Sequence, residues 1–342
     1  MKKRLLAALL CGAMAVSLTA CGGNGSDANA PADAPKDDGA AADGGKTFTV
    51  GVCQLAPHPA LDAATKGFQE KLTELIEADG NSVTFDSKNA NGETSSVATI
   101  INGFVSGNVD LILANATAPL QTAAASTGDI PILGTSVSDY GTALEMDGFT
   151  GTTGINVSGT SDLAPLDQQA AMVKEWFPDA KNVGLLYCSG EANSKFQINT
   201  IKPELEALGY TCTEYSFADS NDLATVVTKA CDEADVLYVP TDNTVADNTG
   251  IVANVAIPAG VPVIAGEEGI CSGCGVATLS ISYYDLGATT AQMAYDILVG
   301  GKDITTMEIQ NAPVTPKYNK ELCDELGITP VEGYEPIEAA AS

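Results

Sequence analysis

The sequence predicts an α/β protein of two doubly wound parallel-sheet lobes, and three observations predict it. Short, β-branched apolar runs alternate with stretches of helical periodicity from Thr47 onward. The runs are apolar almost without interruption, as strands are when helices cover both faces of a parallel sheet. A stretch in the first half of the chain is echoed, in order and character, in the second.

The apolar runs are 48–54, 83–85, 109–114 and 130–134, then 183–188, 210–217, 236–239 and 261–265. After the first run, Pro59 suits an opening helical turn and Asp62 follows it. Leu61, Ala64, Phe68, Leu72, Leu75 and Ile76 then recur at helical spacing, a stripe that faces a core. The echo pairs DLILANATAP (110–119) and IPILG (130–134) with DVLYVPTDNT (235–244) and VPVIAG (261–266). Ligands of open α/β sheets bind beyond the carboxyl ends of the strands. Two facing lobes therefore set 54–59, 115–117 and 135–139 opposite 187–194, 241–243 and 266–268. These segments mix hydroxyls and amides with the carboxylates of Asp139, Glu191, Asp242 and Glu267. Helix starts suit an anion and an isolated carboxylate suits a cation, so the combination suits a small zwitterion.

The first 20 residues have the plan of a signal peptide: Lys2, Lys3 and Arg4, an apolar run over 5–16, and a small-residue exit. That run is too short to cross about 30 Å of hydrocarbon at about 1.5 Å per residue. The exit LTAC (18–21) resembles the lipobox of bacterial lipoproteins, which makes Cys21 the expected lipidation site and membrane anchor. Residues 21–46, rich in Gly, Ala, Asp, Asn and Pro, are expected as a flexible acidic tether, because they offer almost nothing to bury against the entropy of ordering.

The formal charge is -28, which excludes nucleic acid and anionic lipid surfaces as partners. Arg4 is the only arginine, so a guanidinium clamp on a ligand carboxylate or phosphate is impossible beyond the leader. Seven cysteines follow Cys21 without regular spacing, and no disulfide framework is indicated. CSGC (271–274) reads as a turn with two buried thiols or a local disulfide, since GVATL (275–279) continues as a strand. His58, the only histidine, lies between two prolines with no second metal ligand at usable spacing. It is expected to orient a helix start or touch ligand. GTSVS (134–138) lacks the final glycine of a nucleophile elbow. An enzyme would have to rest on Cys53, His58 and a carboxylate, and neither catalysis, cofactor nor metal is expected. Asp242 reads either as an Asx turn opening a helix or as a ligand contact, and Tyr283 and Tyr284 either as packing residues or as cleft residues.

GVCQLAPHPALDAATKGF (51–68), NVSGTSD (156–162), TDNTV (241–245), GEEG (266–269) and YYDLG (283–287) resemble the ABC-transporter substrate-binding proteins of the tryptophan/tyrosine type, over 47–329. The resemblance implies a type I periplasmic-binding fold, two lobes joined by three crossovers, and an aromatic amino acid as ligand. Its implied partners are an ABC permease with its ATPase, and its implied form is an extracytoplasmic monomer held to the membrane by lipid alone. Composition puts the crossings at 154–158, 278–282 and 309–313, with lobe one as 47–156 plus 283–310 and lobe two as 157–282 plus 311–335. Candidate ligand contacts in lobe one are Gln54, Leu55, His58, Pro59, Asn115, Ala116, Thr117, Ser136 and Asp139. Asp162, which ends the second motif, is a further candidate contact. Lobe two adds Tyr187, Ser189, Glu191, Asn193, Ser194, Asp242, Asn243 and Glu267. Tyr140 stands where the resemblance leads one to expect proline. The alternative function is a ligand-sensing lipoprotein that docks a receptor without transport.

Overall fold

The computed structural model describes residues 45–337. The expected signal peptide, Cys21 and the tether up to residue 44 lie outside the described residues. The chain begins with β1 (Thr47–Gln54), α1 (Pro59–Ala78), β2 (Ser82–Asn89), α2 (Thr94–Ser106), β3 (Leu111–Asn115), α3 (Thr117–Ser126), β4 (Ile132–Val137), the single turn α4 (Tyr140–Ala143) and β5 (Val157–Ser161). A second set follows: α5 (Leu166–Trp176), β6 (Asn182–Cys188), α6 (Ala192–Ala207), β7 (Thr211–Phe217), α7 (Ser220–Glu233), β8 (Val236–Val239), α8 (Asn243–Asp247), α9 (Thr249–Ala259), β9 (Val263–Ala265), α10 (Glu268–Cys274) and β10 (Ala277–Ser280). The last elements are α11 (Tyr283–Leu298), β11 (Gln310–Asn311), β12 (Thr315–Tyr318), α12 (Lys320–Leu326) and β13 (Glu335–Pro336).

Two sheets result, ordered β11-β5-β4-β3-β1-β2 and β13-β12-β10-β9-β8-β6-β7. The first is parallel throughout, and the second is parallel except where β12 runs against β10. The orders β5-β4-β3-β1-β2 and β10-β9-β8-β6-β7 are the same topology used twice, which is the internal echo made physical. Its paired aspartates do the same task in each lobe. Asp110 accepts the backbone N–H of Thr49 at the start of β1, and Asp235 accepts those of Lys181 and Asn182 at the start of β6. Central strands such as β3, β4 and β8 are buried on both faces, while the edge strands β2 and β7 expose one side. Each sheet carries an apolar cluster on either face, so each lobe is doubly wound.

The chain changes lobe three times, at 162–165, 281–282 and 312–314. The first crossing is later than the segment 154–158, because β5 still pairs with β4 through Ser161 and so extends lobe one. The CSGC segment also differs from expectation. It forms the end of α10, not a turn, and Cys271 and Cys274 are buried free thiols. Placed at the C-terminal end of a helix, they lack the N-terminal dipole that would lower a thiol, and burial pushes both upward.

Tyr140 is core, not cleft. Its hydroxyl donates to Thr160 O at 3.0 Å, and its ring end lies over Gly134 and Gly159, where any Cβ would sit 2.4 Å from the phenolic oxygen. A second glycine pair sets the junction between α1 and the returning helix α11. A Cβ on Gly67 would lie 2.0 Å from Tyr284 O, and one on Gly287 would lie 2.0 Å from Ala64 O. The two backbones therefore touch, and the crossover is clamped to the first cleft helix. Gly287→Val is expected to lower unfolding free energy by about 1–3 kcal/mol through overpacking, measured by urea denaturation. An unchanged midpoint would show that α11 moves aside.

Candidate ligand-binding site

The strand ends of the two lobes face one another, and β1 supplies the first group. Gln54 ends the strand with its side chain fully occupied. Its amide N–H groups donate to Ala56 O and Asp62 Oδ1, and its carbonyl accepts from Thr65. It braces the loop that presents Leu55, His58 and Pro59. Pro59 opens α1, and His58 takes the cap position with an extended backbone and no capping bond. His58 instead reaches across the cleft, with Nε2 3.3 Å from Asn243 Oδ1. Asn243 Nδ2 donates to Glu191, so its Oδ1 is an acceptor and His58 Nε2 is the donor. Burial keeps the imidazole below its usual value, against opposing effects from Asn243, Glu191, Asp247 and Asp62, so the ring is neutral and Nδ1 is a bare acceptor. Nδ1 is buried without a partner.

At the end of β3, Asn115 spends its amide on Leu61 O and Thr65 Oγ1, which leaves Oδ1 buried and unpartnered. Ala116, next in the chain, has φ 101°, and Ser136 near the end of β4 has φ 55°, both in the region that disfavours a side chain. Ser136 Oγ is also buried and unpartnered. Backbone strain and orphaned polar atoms on adjacent strand ends mark a place shaped for something other than folding. Thr117 begins α3 beside them. Asp139 is half-buried and caps α4, its Oδ1 accepting from Thr142 N–H.

Lobe two answers with carboxylates held by N–H and hydroxyl groups. Glu191 accepts from Asn193 Nδ2, from the backbone and side-chain amides of Asn243, and from the N–H and hydroxyl of Thr244, all between 2.7 and 3.0 Å. Asp242 is both the Asx cap and a cleft residue: Oδ1 accepts from Val245 N–H, and Oδ2 from Cys188 N–H and Ser194 Oγ. Burial and the nearby Glu191 raise its proton affinity despite those three donors. Asn193 also donates to Thr241 O. Glu267 caps α10, accepting from Gly269 and Ile270 N–H, and burial pushes it up to about 7.

Two expected contacts are not in the cleft. Tyr187 falls on the other face of β6 from Leu186 and Cys188, by the period-two alternation of a strand, and its hydroxyl donates to Glu214 on the outer edge. Ser189 bonds Phe217 O with both N–H and hydroxyl, a link between β6 and β7. Asp162, an expected contact, stands with Ser138 of the expected 135–139 segment, with Tyr283, which the sequence leaves open, and with Gln197, which the sequence does not single out. Asp162 on the first crossing accepts from Ser138 Oγ at 3.0 Å and from Tyr283 hydroxyl at 2.9 Å. Ser138 in turn accepts from Gln197 Nε2 at 3.2 Å, the second hydrogen bond between lobes. Gln197 lies four residues after Asn193 on α6, so helical periodicity was the one signal that could have found it.

The lobes thus meet in a closed arrangement. A cavity of about 270 Å³ remains at the mouth, lined by Leu55, Thr117, Glu191 and Asn243 among others. Another of about 750 Å³, lined by Pro59, Ala60, Glu267 and Tyr283 among others, runs toward the crossings. No group of side chains among the described residues could hold a metal ion. Cys53 is pushed up to about 12 by burial, and His58 bonds an amide, so this pair is no nucleophile and base. Among the described residues, no helix is long and apolar enough to cross a membrane. Glu191→Ala strands the N–H groups of Asn243 and Thr244 and is expected to cost about 1–3 kcal/mol in urea unfolding. A loss near zero would show that water replaces the carboxylate freely.

Comparison with known proteins gives the same picture. The chain is 34% identical over 315 residues to a tyrosine-binding protein of Clostridioides difficile, covering 90% of this chain and 88% of that one. A solved structure described as the ABC domain in complex with L-Trp from Streptococcus pneumoniae matches with TM-score 0.78 and 30% identity, over 84% of this chain and 100% of that one. The ligand-free, open structure of a Clostridium difficile substrate-binding protein with adhesive properties matches with TM-score 0.64 and 32% identity, over 86% and 100%. At nearly equal identity the better superposition is on the L-Trp complex, in keeping with the closed lobes. Both the fold and a family model that matches residues 49–333 lead to one conclusion: the chain belongs to the ABC transporter substrate binding proteins.

Proposed function

We propose that the protein is the extracytoplasmic receptor of an ABC importer, a monomer tethered through lipid on Cys21, and that it captures an aromatic amino acid between its lobes for delivery to the permease and its ATPase. The observation that carries the ligand reading is the set of buried acceptors without partners, His58 Nδ1, Asn115 Oδ1 and Ser136 Oγ, at strand ends that face Glu191, Asp242 and Glu267, none of which is in an ion pair among the described residues. A zwitterion supplies an ammonium with three N–H groups to that set. Its carboxylate must find backbone N–H groups, hydroxyls or lysine, since no arginine follows Arg4. The aromatic side chain is inferred from the relatives described as tyrosine-binding and as an L-Trp complex. Binding without turnover suits a cleft with no activated nucleophile.

In a thermal-shift screen of the twenty amino acids at saturating concentration, tyrosine or tryptophan is expected to raise the melting temperature by roughly 3–10 °C. Silence from every aromatic amino acid would end this reading of the ligand. For the anchor, metabolic labelling with a fatty acid is expected to mark the wild type and miss Cys21→Ala, which should appear in the medium or periplasm. Equal labelling of both would exclude Cys21 as the lipid site.

A further inference from the structure

Asp162 and Glu267 come from different parts of the fold, the first crossing and the start of α10, yet the charge of Asp162 is felt at Glu267. Tyr283 joins them: its hydroxyl donates to Asp162, and its side chain lines the same cavity as Glu267. All three are at least nine-tenths buried. Two lysines line this cavity and both are engaged, Lys317 with Glu268 at 2.9 Å and Lys320 with Asp324. The other ionisable groups facing Asp162 are Tyr140 and Tyr283, and those facing Glu267 are Glu268, Cys271, Cys274 and Tyr283. None of these is a cation. Two ionised carboxyls in such a place repel one another and are poorly solvated.

A second observation says what the group lacks. Asn115 has used both amide hydrogens, and His58 has used its single N–H on Asn243, so each is left with a buried acceptor and no donor to meet it. The strand ends of lobe one are therefore short of hydrogen-bond donors, and the Asp162–Glu267 group is short of positive charge. An ammonium group provides both.

We propose that Asp162 and Glu267 hold one proton between them in the ligand-free cleft and that the ammonium of the ligand displaces it, so that capture releases a proton. The inference rests on the zwitterion reading above and assigns its ammonium to this pair. No covalent bond changes. The singly protonated pair and a neutral zwitterion become a doubly ionised pair around the ammonium, and the proton passes to solvent. Burial raises both carboxyls from their ordinary values, Glu267 to about 7, which sets the range in which the exchange is seen. Below that range the pair must give up its proton to bind, and affinity rises with pH by up to about tenfold per unit; above it, the dependence flattens. The ligand-free protein responds in the opposite sense. A carboxyl raised by folding holds its proton in the native state after the unfolded chain has lost its own, so stability falls as pH rises from about 4.3 through about 7.

Calorimetry of tyrosine and tryptophan in buffers of different ionisation enthalpy tests the exchange on the full chain. About one proton released per ligand is expected near pH 6, falling toward none near pH 8. Glu267→Gln should bind with release abolished, and 3-(4-hydroxyphenyl)propanoate, which lacks the amine, should release none from the wild type. The ligand-free melting temperature should fall less steeply with pH in Glu267→Gln, and in Asp162→Asn if the first variant folds poorly. Binding without proton release, or release undiminished in both variants, overturns the exchange while leaving the amino-acid reading intact. No binding by any amino acid overturns both.

Discussion

The buried carboxylates of the cleft are held by neutral donors in a chain with no arginine beyond Arg4, and much of the cleft follows from that arrangement. Glu191 gathers five N–H and hydroxyl donors, Asp242 three, and Glu267 two backbone N–H groups. Each such bond has a fixed direction, so the three acids hold the loops after β6, β8 and β9 in one arrangement. Donors of this kind satisfy geometry without cancelling charge. Lobe two therefore presents an ordered rim of acidic groups, whereas its exposed ion pairs, such as Lys320 with Asp324, are of a type worth at most about 1 kcal/mol.

Lobe one contributes rigidity of another kind. Gly67 and Gly287 let α1 and α11 meet backbone to backbone, and Gly134 and Gly159 make room for Tyr140 beneath the β4 end. The strained φ values of Ala116 and Ser136 survive because those surroundings leave them little freedom. Across the cleft, by contrast, the direct side-chain hydrogen bonds between lobes among the described residues are His58 to Asn243 and Gln197 to Ser138. Bonds of this kind contribute about 0.5–1.5 kcal/mol each. Two firm bodies joined by short crossings and closed by little else can open readily, and a ligand with contacts to both lobes shifts that balance.

Much of this was legible in the sequence because it depends on local pattern. The apolar runs located the central strands, Pro59 and the stripe from Leu61 to Ile76 located α1, and the echo from Asp110 to Asp235 anticipated two copies of one topology. Where the reading slipped, neighbours distant in sequence had the deciding vote. Pairing with β4 carried β5 past the expected crossing, and the last residues of CSGC completed a helix because Glu267 caps its start. Tyr187 looked like a cleft residue by position, but the alternation of β6 sent it to the opposite face.

The sequence by itself determined the class of fold, the duplication and the segments that face each other, since hydrophobic period and helix-start chemistry are properties of short stretches. Only the tertiary structure decided which polar atoms in those segments are already spent. Gln54 and Ser189 share their chemistry with residues that remain open, yet their bonds go to Asp62 and Phe217. Whether a polar side chain is free can depend on partners far along the chain, such as Ser138, 24 positions from Asp162, and Asn243, 185 positions from His58. A single chain read in order carries no record of those distances until it folds.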